Sequence, residues 1–502
     1  MCGFVCLWRH GDAGLARRMT ERIAHRGPDA LQVSAVPGTD AVMGHCRLAI
    51  IGPQDGAQPI LDGATGLVAN GEIYNHADLR AVLGADRFAT ASDSETILHL
   101  HRGGAPRWID RLDGMFAFVL ALPDRIVAGR DPLGIKPLYV ARPPGGGLVL
   151  ASELKAFDGE RGLGPIEALA PGHLLDSAEG TRHWWRLPAG RARGEVADAD
   201  ALARELRTFL EAAAAKWTVA DVEVGAFLSG GLDSSIMAAL AQRARLARGL
   251  GPLKTFAVGT EGAPDLTAAR AVARHIGSDH HEATFTPADV AAALEHVIYH
   301  LESADVDLVR SAVPTLFAAR LARAHVKAVL TGEGADELFA GYGYHHAMAA
   351  DPGALAEELT RSLGTMHNIN LQRVDRVTMS VGLEARTPFL DRDLLAFAQT
   401  IPAGLKMRLD PDTGETTEKW ILRRACEDLL PHALVWRRKA QFDEGSGVVD
   451  AREAALGGML DGPLDRAREG ALYERLLRGR YVDPGRILAA AGCWEEGRAV
   501  AV

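Results

Sequence analysis

The amino-acid sequence predicts two folded units of different class, a layered α+β unit followed by a parallel α/β unit. The chain has 502 residues, more than one hydrophobic core usually serves. Its texture also changes near residue 190. Before that point, short β-branched and apolar runs alternate with turn signals. After it, alanine-rich helical stretches separate short apolar runs that read as buried strands. A polar segment bearing Pro and Gly divides the two textures, so we place a first domain at 1–188, a linker at 189–199 and a second domain at 200–502.

The first strand begins at Cys2, in "MCGFVCLW". "AVMGHCRLAIIG", "GLVANGEIYNH" and "GMFAFVLALPDRIVAGRDPLG" supply further strands, and "ARPPGGGLVLAS" reads as a hairpin turning on Pro and Gly. In the second unit "VGAFLSG", "LKTFAVGT" and "VKAVLTG" are the buried-strand runs. The last 55 or so residues have helical periodicity and no chemical motif. No internal repeat or low-complexity tract interrupts the chain.

Composition narrows the function. With 65 acidic and 55 basic residues the formal charge is −10, which argues against nonspecific binding to nucleic acid or an anionic membrane and favours small-molecule partners. The five cysteines are scattered, with no CxxC pair, which fits a reducing compartment better than a disulfide framework or a zinc site. Apolar runs such as "MFAFVLAL" are too short to span a bilayer. A cytoplasmic protein is expected.

The stretch "VEVGAFLSGGLDSS" carries the most chemistry. A strand over 222–228 runs into a loop, Ser229–Ser235, that opens a helix near Ile236. Such a loop cradles phosphate: Gly230 and Gly231 let backbone approach closely, the first helical N–H groups attract an anion, and Ser229, Ser234 and Ser235 add hydroxyl donors. No Gly-Lys-Ser/Thr follows, so it is not a Walker A loop. Asp233 would repel phosphate unless a divalent cation stood between them, which implies Mg²⁺. A plain Ser/Gly helix-capping turn is the simpler alternative.

"SGGLDSS" is the pyrophosphatase-loop signature of enzymes that split ATP between its α and β phosphates and adenylate a carboxylate. Together with "TFAVGT", "GAPDLTAARAVARHIGSDHHE", "VIYHLESADV", "LTGEGADELFAGY", "GLEARTPFLD" and "WRRKAQF", it makes residues 220–445 resemble glutamine-dependent asparagine synthetase. The first unit is similar to a class II glutamine amidotransferase domain. The fold implied is an Ntn-hydrolase αββα sandwich followed by a parallel-sheet pyrophosphatase-loop domain.

The resemblance gives Cys2 a role beyond that of a small apolar residue. Once Met1 is removed, its thiol would be the nucleophile and its own α-amine the base, the two having ordinary pKa values of about 8.5 and about 8. Gly3 would leave room for substrate over the sulfur. Arg47 would clamp the glutamine carboxylate, with Ile50 and Ile51 lining the pocket. Asn70 and Gly71 would form the oxyanion hole, and Glu72 and Asp93 would hold the α-amine of glutamine.

In the second unit ATP would lie against Phe227, Leu228, the loop Ser229–Ser235 with Leu232 in it, the Val258 backbone, Thr331 and Gly332. Glu333 would serve adenylate formation and meet the acceptor acid. Asp336 would share Mg²⁺ with Asp233, and Lys439 would hold the departing pyrophosphate. The products would be asparagine, glutamate, AMP and pyrophosphate, formed through β-aspartyl-AMP, with ammonia crossing an apolar passage between the domains.

Three positions depart from the family pattern. Arg376 stands where one bacterial branch has a lysine taken to contact aspartate, Thr331 where serine is common, and Ala335 where serine often stands. They leave another carboxylic acid, such as glutamate, or another nitrogen nucleophile open. A nonenzymatic regulator on the same scaffold would need broken catalytic positions, and Cys2, Asn70, Asp233 and Glu333 are all present. The His pairs at 280–281 and 345–346 are not at zinc spacing. The partners expected are glutamine, aspartate and ATP, and a homodimer is left open.

Overall fold

The computed structural model describes residues 2–188, 198–410, 412–437, 445–460 and 464–491. Among them, two six-stranded antiparallel sheets occupy the first part of the chain. One runs, edge to edge, Ile166–Ala168, Tyr139–Ala141, Leu148–Ala151, Cys2–Trp8, Ala41–Arg47, Ala30–Ala35. The other runs Gly180–His183, His173–Asp176, Ile126–Arg130, Gly114–Ala121, Thr65–Ile73, Ile60–Asp62.

The period-2 alternation of strand side chains decides how the sheets stack. Phe4, Cys6 and Trp8 point inward to meet Val68, Val119 and Ala128 of the other sheet. Val5 and Leu7 point outward onto Ala16, Met19 and Ile23 of the segment containing helix Ala13–Arg22. That helix lies so close that a Cβ on Gly44 would sit 2.0 Å from Thr20 Oγ1. Helices His76–Leu83 and Glu95–Arg102 cover the far face of the second sheet through Leu79, Ile97 and Leu100. The result is the expected four-layer αββα order, with Cys2 at the first position of a central strand.

The second part holds one parallel five-stranded sheet in the order Asp279–Thr284, Lys254–Gly259, Val224–Phe227, Ala328–Leu330, Glu384–Arg386. The chain runs outward from Val224–Phe227 through two strands, then returns to its other side. The carboxyl ends of Val224–Phe227 and Ala328–Leu330 therefore flank a switch point, where open α/β sheets bind ligands.

Some expectations shift. Helix 232–247 starts four residues before Ile236, because Gly231 is its extended N-cap and Asp233, Ser234 and Ser235 form its first turn. The linker lies outside the described residues except for Asp198 and Ala199. Asp198 Oδ1 accepts the N–H groups of Asp200 (3.0 Å) and Ala201 (3.2 Å), capping helix Ala199–Trp217. The periodic C-terminal stretch forms helices Arg466–Arg480 and Pro484–Ala490.

Candidate active sites

The backbone of Cys2 is pinned at both ends. Its N–H donates to Asn70 Oδ1 at 3.1 Å, and its carbonyl accepts from Arg26 Nε at 2.9 Å. Burial raises the thiol pKa, against the pull of the Leu48 backbone N–H and of Arg47. Asn70 is fully buried on strand Thr65–Ile73, and while its oxygen meets Cys2, its Nδ2 has no partner among the described residues. An orphaned buried donor beside a candidate nucleophile is what an oxyanion site requires.

Gly71, with φ of +143°, crosses Phe116 so closely that a Cβ would lie 1.9 Å from the Met115 carbonyl oxygen. No other residue fits between Asn70 and Glu72. Gly3 has a different reason from the one expected. A Cβ there would meet Cys46 Sγ at 2.8 Å and side-chain atoms of Arg26 and Ile23 at 3.1 Å, so the glycine makes room for these neighbours.

Arg47 pairs with Cys2 across the ladder, and its guanidinium donates to the carbonyls of Gly52 (2.5 Å), Pro53 (3.2 Å) and Ile51 (3.4 Å). Ile50 and Ile51 are buried in the same turn. Asp93 Oδ2 accepts the Ile73 N–H at 2.7 Å, which fixes it beside the strand that carries Glu72. Burial, then Glu384 and Asp93, push the Glu72 carboxyl well up, while Arg386 at 3.7 Å pulls it down. Cys2, Arg47, Asn70, Gly71, Glu72 and Asp93 thus converge on one end of the sandwich.

The second constellation forms at the switch point. Ser229 Oγ and Ser234 Oγ are 3.0 Å apart, Gly231 N–H donates to Ser229 Oγ at 3.3 Å, and Ser235 Oγ donates to the Gly231 carbonyl at 2.7 Å. Gly230, at φ of +77°, packs against helix Pro264–Ile276, where a Cβ would meet Ala269 N at 2.7 Å. Gly332 packs against the start of the loop helix, its ideal Cβ 2.9 Å from that of Asp233. Leu228 N–H bonds the Phe256 carbonyl at 2.8 Å; Val258, two residues along, turns its backbone groups to the same side, toward the loop.

Asp233 and Asp336 meet at a residue the sequence did not mark. Lys419 Nζ lies 2.5 Å from Asp233 Oδ2 and 2.5 Å from Asp336 Oδ1. Burial would lower this ammonium's pKa, but the two carboxylates more than offset it and hold the pKa up. Asp233 Oδ1 is buried without a partner among the described residues. Two convergent carboxylates, one with an unmet oxygen, fit Mg²⁺, which commonly takes one or two protein carboxylates and fills its shell with phosphate and water. Lys439 lies outside the described residues.

Glu333 follows Thr331, whose Oγ1 accepts its N–H at 3.4 Å, and its Oε1 is 2.5 Å from Arg373 Nη2. Glu337, behind it, is pushed up to about 7 by burial and by Asp336, and it accepts from Tyr342 Oη (2.5 Å) and Asn370 Nδ2 (2.7 Å). Arg376 does not join this group, contrary to its expected place against the acceptor acid. Its guanidinium is buried on Glu302 (3.0 Å), Asp375 (3.3 Å) and the Tyr139 hydroxyl (3.1 Å), between the two parts of the chain. The arginine that meets Glu333 is Arg373, one turn earlier on helix Asn370–Met379. Arg26, Arg373 and Lys419 each work through partners distant in sequence, so no local pattern announces them.

A buried cysteine fixed beside an orphaned amide donor, and a serine-rich loop at the switch point of a parallel sheet, define a two-site amidotransferase with an ATP-cleaving half. Comparison with known families agrees. A glutamine amidotransferase domain model matches residues 1–171, and an asparagine synthase model matches residues 205–353 and 347–486. Asparagine synthetase [glutamine-hydrolyzing] 2 of Arabidopsis thaliana is 37% identical over 504 residues, covering 96% of this chain and 84% of that protein. A protein of the same name from Oryza sativa subsp. japonica is 37% identical over 506 residues, covering 96% and 82%. Asparagine synthetase [glutamine-hydrolyzing] of Asparagus officinalis is 38% identical over 468 residues, covering 89% of this chain and 78% of that protein. The chain belongs to the glutamine-hydrolysing asparagine synthetase family. Among the described residues no helix is long and apolar enough to cross a membrane.

Proposed function

We propose that the chain makes asparagine from aspartate and glutamine at the expense of ATP, with two sites dividing the chemistry. At the first, once Met1 is removed, the Cys2 thiol attacks the glutamine carboxamide and the freed α-amine takes the proton; Asn70 Nδ2 and the Gly71 N–H would receive the oxyanion, ammonia leaves, and water frees glutamate. Arg47, Glu72 and Asp93 would orient the amino-acid end of glutamine. At the second, an oxygen of the aspartate side chain attacks the α-phosphorus and pyrophosphate departs. The serine hydroxyls and first-turn N–H groups of the loop would receive the phosphates.

Asp233 and Asp336 would hold Mg²⁺, which when bound neutralises phosphate charge; Lys419 supplies a cation at the same carboxylates. Ammonia then attacks the β-aspartyl-AMP carbonyl, releasing AMP. An apolar route between the sites is supported by a continuous cluster that joins Leu48, Tyr74, Met115 and Ile135 of the first part to Leu371 and Met379 of the second. A domain division near 189–199 is supported by the separation of the sheets, and a reducing, cytoplasmic setting by the free, buried Cys2, Cys6, Cys46 and Cys426.

The observation that carries this reading is the pinned Cys2 backbone beside the unpartnered Asn70 amide, in a chain whose second half carries the phosphate loop. The Arg376 difference that left the acid open falls in the interface, on Glu302, Asp375 and Tyr139. The test is amide formation with ATP, Mg²⁺, glutamine and each of several acids, the product identified by mass. Asparagine from aspartate is expected; amide only from another acid would overturn the assignment.

A further inference from the structure

A strand's first residue frays unless something outside the ladder ties it down. Cys2 has two such ties, and the second leads across the molecule. Arg26, buried after helix Ala13–Arg22, gives its Nε to the Cys2 carbonyl and its two terminal nitrogens to Asp375, at 2.9 Å from Nη1 and 3.2 Å from Nη2. Nη1 also meets Glu153 at 2.5 Å. Gly27 holds the turn against the neighbouring strand, where a Cβ would lie 2.3 Å from Arg47 N, so Arg26 cannot drift as a surface arginine would.

We propose that Asp375, on helix Asn370–Met379 of the synthetase half, is a positioning residue for the glutaminase nucleophile: it fixes the Arg26 guanidinium, which in turn fixes the peptide plane of Cys2. Asp375 touches neither the thiol nor glutamine. Its forked contact, with Glu153 on Nη1, sets the plane of a guanidinium whose Nε donates to the Cys2 carbonyl. Lys136 at 3.4 Å and Arg376 at 3.3 Å share the same carboxylate, so it is the anion around which three buried cations are arranged. Arg26, Lys136 and Arg376 outweigh the burial that would raise it and hold the carboxyl at about 2. The same helix carries Arg373 against Glu333, so one rigid element touches the adenylating carboxylate and steadies the nucleophile of the other site.

The inference rests on Cys2 being the nucleophile, and the test separates the two. Glutamine hydrolysis is measured in the full chain, with ammonia-driven synthesis on the same samples. Asp375→Asn is expected to lower kcat for hydrolysis on the order of ten- to a hundred-fold, the cost of a small misplacement of a reacting group. The KM for glutamine and the ammonia-driven rate should hold within about two-fold, because Asp375 binds neither substrate. Asp375→Glu, which restores the carboxylate, should recover most of the loss. Undiminished hydrolysis in Asp375→Asn would overturn the proposal, even if the protein melted earlier, since interface glue alone would do that.

Should Asp375→Asn lose both activities, Arg26→Gln/Asp375→Asn removes cation and carboxylate together and leaves neither of the pair uncompensated. A hydrolysis rate equal to that of Arg26→Gln alone would support action through Arg26, and a further drop would overturn it. Hydrolysis that survives in Cys2→Ala would remove the nucleophile assignment and this inference with it.

Discussion

At the scale of single residues, the polar atoms of each site show which partner is still to come. Among the described residues, Asn70 presents an amide NH₂ with no acceptor and Asp233 an oxygen with no donor. Leaving such groups unpaired costs roughly 1–3 kcal/mol each, so they persist where ligand chemistry returns the cost. Glu333 differs, being already satisfied by Arg373. If it serves adenylate formation and not nucleotide affinity, Glu333→Gln should retain ATP binding by calorimetry and lose aspartate-dependent pyrophosphate release by two orders of magnitude or so. Parallel loss of ATP affinity would contradict that role.

Cys2, Asn70 and the serine loop were legible because the chemistry lies in short contiguous strings. Lys419 was not. "EKWILRR" reads as an ordinary helix start, and the place of Lys419 depends on two carboxylates brought together by the parallel sheet. Arg376 is misplaced for the converse reason: the resemblance set it against the acceptor acid, whereas its guanidinium is held by the neighbouring Asp375 and by Glu302 and Tyr139 from distant parts of the chain.

Among the elements, the strand Thr65–Ile73 carries the first site because the residue after Asn70 lets neighbouring backbones touch. Gly71→Ala would drive a methyl into the Met115 carbonyl at a φ that L-residues avoid. The expected outcome is a loss of about 1–3 kcal/mol or more, read from a urea midpoint, together with loss of glutamine hydrolysis. Wild-type stability in that variant would mean the strands do not approach as described. Strand positions were legible from alternation and turn residues, and so was the phosphate-binding order of strand, loop and helix. The early start of the helix at Leu232 was missed because Leu-Asp-Ser-Ser reads as loop by composition, while its position after an extended Gly231 makes it a first helical turn. Gly3 shows the same limit: what crowds a strand glycine, here Cys46, Ile23 and Arg26, is decided by neighbours that the local sequence does not show.

Across the whole molecule, the two halves meet through buried charge as well as apolar surface. Arg26, Glu153, Lys155, Glu302, Arg376 and Asp375 form one connected chain of ion pairs. The network was not legible in the sequence, because the pairs that close it, Arg26–Glu153, Arg26–Asp375, Lys155–Glu302 and Arg376–Glu302, join residues remote in the chain, and lone charges read as solvated. Beside it, the rings of His25 and His300 meet edge to face at 4.4 Å, and that of His296 lies tilted against His300 at 4.5 Å. Burial lowers the pKa of all three, that of His296 to about 4. Because these folded values lie below the unfolded value of about 6.5, the stability tied to their neutral forms is whole above that pH and is lost as pH falls through it. The carboxyls of Asp375 and Glu384, held at about 2, keep their contribution down to about pH 4 and lose it toward 2. Between pH 7 and 5 the histidines should lower the thermal midpoint while protonation of Glu337, pushed up to about 7, acts the other way, so the histidine part is read against His300→Asn, in which the midpoint should fall less than in wild type. An unchanged slope would show that the histidines do not govern this range.

The central claim is that a thiol at one end of the chain releases the ammonia that a phosphate-binding loop in the other half uses. Cys2→Ala measures it most directly, assayed for asparagine by mass with aspartate, ATP and Mg²⁺, once with glutamine and once with concentrated ammonium at mildly alkaline pH. The account predicts glutamine-driven synthesis reduced by orders of magnitude and ammonium-driven synthesis close to wild type. Equal loss with both nitrogen sources, or intact synthesis from glutamine, would contradict it.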